Sequence, residues 1–419
     1  MSANGCQKRV TGPTLDVPGG PCQTRGCMVP PVAVEEARRI AAAVEAELDF
    51  LLADLATWVD VDTPGGHFEA LDGLARLLAH VLERYGLEPE LVPTTGGLAV
   101  HATLRGSGRA RVALICHHDT VFPLGTATAR PFRRDGARCY GPGVADMKGG
   151  IAVAAHAARL LAQGPRPFAA VEVVSVPDEE SRPAEAESLE RIADFDCVLC
   201  LECGRPSGEI VSSRKGASWF RLHAEGRAAH AGEAPEAGQN AAVALAREAL
   251  RLMELHGARP GLTLQVTGLE AGEGLNTVPS RGVLTGDIRA ETADDLAWAL
   301  GRVRELGRPE GVHLVYEDLG GPAPMERTPA VGVLAEAAIA LGATLGHAFG
   351  ETQAGGVSDG SWAASRGIPT LDGLGPVGGH DHTPDEYVET ASFSTRCGVV
   401  AGLVAAVDAG LLEAQRQPD

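Results

Sequence analysis

Imidazole and carboxylate side chains gather where the predicted strands of this chain run out into loops. The apolar run RVALIC (111–116) ends on His117, His118 and Asp119, and the loop GPGVAD delivers Asp146 straight into the helical pattern KGGIAVAAHAARLLAQ. Glu179 and Glu180 follow VEVVSVPD, Glu202 follows CVLCL, and HDHTPDEY supplies His380 and His382 late in the chain. Ligands of open α/β sheets bind beyond the carboxyl ends of the strands, so these groups are expected to meet. His117 and Asp119 are two residues apart on an extended segment and share a face, whereas His118 points away.

Nitrogen and carboxylate donors of this kind suit divalent metal ions better than they suit a core. One His, one bridging Asp, two Glu and a second His would build two sites that share a carboxylate and a water. Such a donor set fits zinc, with cobalt or manganese as alternatives. Two ions about 3.5–4 Å apart can activate water and polarise a carbonyl. One carboxylate should stay off the metals to move the proton from that water to a leaving nitrogen. The adjacent Glu179 and Glu180 suit that division, because neighbouring side chains diverge. Taken singly, an H-x-D pair or a DEE triplet is an ordinary surface feature; their joint appearance at successive strand ends carries the argument.

The elements that must position these groups alternate. A helical pattern runs from Pro31 to about Ala56 and a second from His67 to Tyr85. Strand-like runs LEPELVP, GGLAVHATLRG and RVALICH follow, then the helix from Lys148 and the strands AAVEVVSV and DCVLCLE. Apolar strands alternating with helices imply an α/β fold, a mixed sheet flanked by helices on both faces. The segment 215–318 differs, reading strand, helix, strand, strand, helix, strand. That βαββαβ order is a ferredoxin-like plan. Residues 215–318 are therefore expected as an inserted domain splitting a catalytic domain into 28–214 and 319–415.

Composition narrows the partners. A formal net charge of -19 sets the chain against nucleic acid and anionic membrane, which repel an acidic surface. Residues 1–27 carry no apolar run and read as a disordered extension, neither secretory signal nor spanning helix. Nine cysteines without a signal suggest free thiols in a reducing, cytoplasmic setting. Cys197, Cys200 and Cys203 form C-x2-C-x2-C, but they lie in an apolar strand-like run and read as buried core rather than a cluster site.

The motifs H-x-D-T-V (117–121), GPGVADMKGG (141–150), DEE (178–180) and HTPDEY (382–387) resemble the co-catalytic dizinc metallopeptidase and aminoacylase family. That family includes carboxypeptidase G, acetylornithine deacetylase and succinyl-diaminopimelate desuccinylase. The resemblance runs from about Val32 to Leu411. It implies that His117, Asp146 and Glu202 bind one metal, that Asp146 bridges to the second, and that Glu180 and His382 complete it. Of the two imidazoles in HDH, the HTPDEY match favours His382 over His380. The resemblance further implies Glu179 as general base and Asp119 as the partner that orients His117. In the inserted segment, GRAAHAG implies His230 as an oxyanion stabiliser, often contributed across a homodimer. LNTVPS implies Asn276 near the substrate, and GDIRA implies Arg289 as a fork for a substrate carboxylate.

The implied activity is metal-dependent hydrolysis of an amide or peptide bond beside a free carboxylate, in the manner of a glutamate carboxypeptidase. An N-acyl-amino-acid deacylase uses the same centre and differs in which side of the amide is recognised. A non-catalytic metal-binding scaffold is a reading of another class. After DEE this chain has SRPAEAES where the family usually has an early glycine, which touches substrate choice. Glu202 matches the branches that use Glu, including carboxypeptidase G and the desuccinylase.

Overall fold

The computed structural model describes residues 29–181, 187–272, 274–307 and 309–415. The expected extension over 1–27 and most of SRPAEAES lie outside the described residues. Expected strands and helices are otherwise found nearly in place. A six-stranded sheet runs, from one edge, Glu88–Thr94, Gly97–Arg105, Ala170–Val176, Arg111–His117, Cys197–Cys200 and Thr370–Leu371. The first two strands are antiparallel to their neighbours, and the remaining four are mutually parallel. The carboxyl ends of those four therefore meet along one edge.

Strand Arg111–His117 shows why its sequence is apolar throughout. Val112, Leu114 and Cys116 join the large core with helices Pro31–Ala46, Gly149–Ala162, Pro329–Thr344 and Ser392–Asp408. Ala113 and Ile115 face the other way, into a smaller cluster with Leu189, Ile192 and Phe195 and with Ala363 of the helix Asp359–Ser365. Both faces of the sheet are covered, so neither parity can be polar. Helix Gly149–Ala162 is buried from Gly149 through Leu161, as expected of a helix that is apolar all round.

One expected helix is two. The pattern from Pro31 forms Pro31–Ala46 and Leu48–Val59, separated at Glu47 with φ -115° and ψ 23°. The Glu47 carboxylate accepts from Arg159 at 2.5 Å. The break lets Ile40 and Val44 on one piece, and Leu51, Leu55 and Trp58 on the other, all reach the core.

The βαββαβ segment comprises strands Gly216–Glu225, Thr263–Ala271, Arg281–Ala290 and His313–Gly320 with helices Ala241–Met253 and Ala293–Arg304. Its sheet order is Thr263–Ala271, Arg281–Ala290, Gly216–Glu225, His313–Gly320, every neighbour antiparallel. Phe220, Leu222, Leu245, Leu284 and Val303 build an apolar cluster of its own.

Two small pairings were not legible in the sequence. Ile210–Arg214 pairs in parallel with Glu351–Ala354. Arg133–Asp135, Arg138–Tyr140, Tyr387–Glu389 and Gly378–Gly379 form a second four-stranded sheet. That sheet ties the segment leading into the Asp146 loop to the segments flanking His382. Among the described residues, no helix is long and apolar enough to cross a membrane.

Candidate metal centre

The strand ends deliver their side chains to one place. His117 Nε2 lies 2.9 Å from Asp146 Oδ1 and 3.8 Å from Glu202 Oε1. His382 Nε2 lies 3.1 Å from Asp146 Oδ2 and 3.0 Å from Glu180 Oε1. Two groups result, His117–Asp146–Glu202 and Asp146–Glu180–His382, each with one donor atom per residue within 4.8 Å of the others. Asp146 belongs to both and points one oxygen into each.

Close packing at the start of helix Gly149–Ala162 brings Asp146 against Glu202. A Cβ on Gly150 would sit 2.0 Å from the Leu201 carbonyl oxygen, so only glycine lets the helix approach the strand end this closely. The loop is then fixed from the other side by Glu386, which is buried. Its carboxylate accepts the N–H groups of Gly143 at 3.0 Å, Ala145 at 2.7 Å and Asp146 at 3.0 Å. Glu386 was overlooked in the sequence, although HTPDEY contains it; the signal was an acidic residue in a motif otherwise read for its histidine.

Asp119 performs the corresponding task on the sheet side. Its Oδ1 lies 3.2 Å from His117 Nδ1, and its two oxygens accept the N–H groups of Glu179 and Glu180 at 3.1 and 3.0 Å. One buried carboxylate thus sets both the imidazole and the DEE segment. Glu179 lines the same cavity, of about 140 Å³, but belongs to neither donor group.

Several other polar groups lie outside the two donor groups. His118 turns away to Ser175 Oγ at 2.9 Å, and burial pushes its pKa down to about 3. His380 sets its ring edge-on against Tyr387, 5.6 Å between centroids, and joins neither donor group. His67 caps the helix Phe68–Arg84, His101 pairs with Glu172, and His156 pairs with Asp54. Cys197, Cys200 and Cys203 are buried free thiols. His230 is exposed, and its Nδ1 accepts the N–H groups of Gly232 and Glu233. Asn276 lies beside it, its carbonyl accepting the Ala231 N–H at 2.8 Å. Arg289 is paired with Asp287 through Nε and a terminal nitrogen, both at 2.9 Å. None of these three lines the cavity within a single chain.

The electrostatics suit cations. Burial pushes the Glu179 carboxyl up to about 8, reinforced by Asp359, Asp146 and Glu180. Burial and the neighbouring Asp146 likewise hold Glu202 well above the carboxylate range. Burial would also raise Asp146, but hydrogen bonds from His117 and His382 hold it well below. Burial disfavours a proton on His117, yet Asp119 and Asp146 retain it there. Asp146 and Glu180 raise His382 to about 11. Protons on two imidazoles thus occupy the space between imidazole nitrogen and carboxylate oxygen where divalent ions would bind. Hard oxygen and imidazole donors, one of them shared, fit a two-metal centre.

Comparisons with known proteins agree with this arrangement. A sequence profile described as Peptidase family M20/M25/M40 matches residues 113–406. The chain is 29% identical over 375 residues to carboxypeptidase G2 of Pseudomonas sp. (strain RS-16), covering 86% of this chain and 90% of that protein. It is 25% identical over 346 residues to succinyl-diaminopimelate desuccinylase of Halorhodospira halophila, covering 77% and 89%. In fold it is similar to aminopeptidase PepT from Bacillus cereus, with a TM-score of 0.71 at 22% identity over 86% of this chain and 98% of that one.

Two outcomes follow from the centre. The proton on His382 stabilises the metal-free fold fully below the ordinary imidazole pKa, and this stabilisation fades as pH rises toward about 11. Ionising Glu179 costs stability as pH rises from the usual carboxylate range to about 8. The depressed Asp146 contributes fully above the carboxylate range and is constant over this window. Metal ions replace the protons, so zinc should raise the melting temperature of chelator-treated protein more at pH 8 than at pH 6. Equal increments at both pH values would contradict this. Glu386→Gln should weaken metal binding by roughly tenfold or more in a competition titration, with an unchanged far-UV spectrum.

Proposed function

Since the chain belongs to peptidase family M20/M25/M40, we propose that this metal-dependent hydrolase cleaves an amide or peptide bond beside a free carboxylate, as a glutamate carboxypeptidase does. The observation that carries the reading is Glu179, half-buried at the cavity wall and outside both donor groups. Binding metals alone would need no such residue, which weighs against a scaffold role.

His117, Asp146 and Glu202 would hold one divalent ion, and Asp146, Glu180 and His382 the other, zinc being favoured over cobalt or manganese. When bound, such a pair supplies Lewis acidity at the carbonyl and makes water more acidic. Glu179 takes a proton at its carboxylate and passes it to the leaving nitrogen. Asp119 keeps the His117 ring oriented and its Nε2 turned to the centre.

The N-acyl-amino-acid deacylase reading draws on the desuccinylase, which this chain matches over 89% of that protein's length. Both readings take a small peptide or N-acyl amino acid as substrate. His230, Asn276 and Arg289 enter either reading as residues of the inserted domain 215–318. His230 would serve as an oxyanion donor supplied by a partner subunit. A homodimer is supported by helix Ala241–Met253, which leaves Val243, Leu250 and Met253 exposed, with Leu250 at 72%. Their spacing of seven and three residues puts them on one helical face. The six described cysteines are free and buried, which supports a cytoplasmic setting.

Hydrolysis of dipeptides, acyl-glutamates and simple N-acyl amino acids, with zinc or with chelator, tests the activity. Chelator-sensitive release of a C-terminal amino acid from peptides and acyl-glutamates is expected; turnover confined to simple acyl amino acids selects the deacylase. Glu179→Ala should keep its metals by elemental analysis and lose roughly 10²–10⁴-fold in turnover; unchanged turnover would sink the mechanism. Leu250→Glu should convert a dimer to a monomer in light scattering, and an unaltered mass would remove that helix from the interface.

A further inference from the structure

The cavity walled by Asp146, Glu179, Glu180 and Glu202 also carries fixed positive charge. Two arginines line it. Arg214 is already engaged: its Nε donates to Asp372 at 2.6 Å and a terminal nitrogen to the Gly356 carbonyl at 3.2 Å. Arg205 is not. It opens the tight turn Arg205–Glu209, closed by the Gly208 N–H on the Arg205 carbonyl at 2.7 Å and the Arg205 N–H on Glu209 at 3.1 Å. The backbone is anchored and the side chain is half-buried at the cavity wall. Among the described residues, its guanidinium makes no hydrogen bond and no ion pair within 4.0 Å. Asp381 lines the same cavity with a buried Oδ1 that also has no partner, so the two share a field without closing on each other.

Arg289 offers a contrast. Its guanidinium is taken up by Asp287 and lies 5.4 Å from the centroid of the Trp219 ring. A carboxylate arriving there must compete with one already in place, whereas one arriving at Arg205 breaks nothing.

We propose that Arg205 is a specificity-determining residue of this centre, taking a carboxylate that the substrate carries a short distance from the scissile amide. The inference rests on the amidohydrolase reading above. Arg205 and the two donor groups line one cavity, so a carboxylate seated on Arg205 lies a short reach from an amide held at those groups. A guanidinium fork matches a carboxylate geometrically, and the pair is charge-assisted. The carboxylate could be the substrate's main-chain α-carboxylate or an acidic side chain, and the test separates them.

The probes are N-acetyl-L-glutamate, its α-amide and its γ-amide, presented to zinc-loaded wild type, Arg205→Ala and Arg205→Lys. Hydrolysis gives KM and kcat; calorimetric titration gives Kd independently of turnover. Arg205→Ala should raise KM and Kd for N-acetyl-L-glutamate by roughly tenfold or more, with kcat within about twofold. Arg205→Lys should recover part of the loss. The amide that lacks the recognised carboxylate should bind wild type as weakly as Arg205→Ala binds the diacid, and that amide identifies the source. Equal weakening of all three probes, no weakening, or no binding of any probe to wild type overturns the proposal. Binding that depends on Arg205 without hydrolysis refutes the amidohydrolase reading and leaves this inference standing. Hydrolysis indifferent to Arg205 does the reverse.

Discussion

Like charges packed into a small, poorly solvated space must be neutralised, and that constraint governs this molecule. Asp146, Glu179, Glu180 and Glu202 converge on one cavity, where their mutual repulsion and burial drive protons onto some of them. The imidazoles of His117 and His382 hold further protons against Asp146 and Glu180. Such a cluster is a poor core. It persists because four parallel strands end together and because two buried carboxylates, Asp119 and Glu386, hold its backbone through hydrogen bonds rather than through apolar packing.

Those two carboxylates act on opposite sides. Asp119 joins the end of Arg111–His117 to the end of Ala170–Val176, through the Glu179 and Glu180 N–H groups. Glu386 joins the loop before helix Gly149–Ala162 to the late segment that carries His382. Positioning the cluster is therefore a matter of long-range ties between segments far apart in the chain. The rigid sheet supplies the frame, and buried polar groups fully satisfied by N–H donors set the register of the loops.

Much of this was legible in the sequence, for identifiable reasons. Strand RVALIC and helix GGIAVAAHAARLLA announce themselves because both are buried all round. The His117, Asp146, Glu180, Glu202 and His382 positions stand out as polar groups placed directly after apolar runs. The βαββαβ order was readable because Gly216–Glu225 alternates cleanly and Ala241–Met253 keeps a helical period. What escaped was whatever lacks periodicity. The strands around Arg133–Tyr140 and Gly378–Glu389 are two or three residues long, too short for any pattern. The break at Glu47 is hidden inside a continuous helical pattern. Glu386 could not be distinguished from a solvent-facing acid without knowing which backbone it meets. His230, Asn276 and Arg289 were named by motif, and a single chain keeps them away from the cavity.

Sulfur stands close to this centre without belonging to it. Cys116 directly precedes His117, Cys200 and Cys203 bracket Glu202, and Cys203 lines the cavity itself. Burial pushes all three thiols upward, and Cys203 Sγ donates to the Gly204 and Pro376 carbonyls at 3.3 and 3.4 Å. A thiol that keeps its proton is neither a good metal ligand nor a good nucleophile. The cavity therefore presents oxygen and nitrogen to an incoming ion while its nearest sulfurs stay silent.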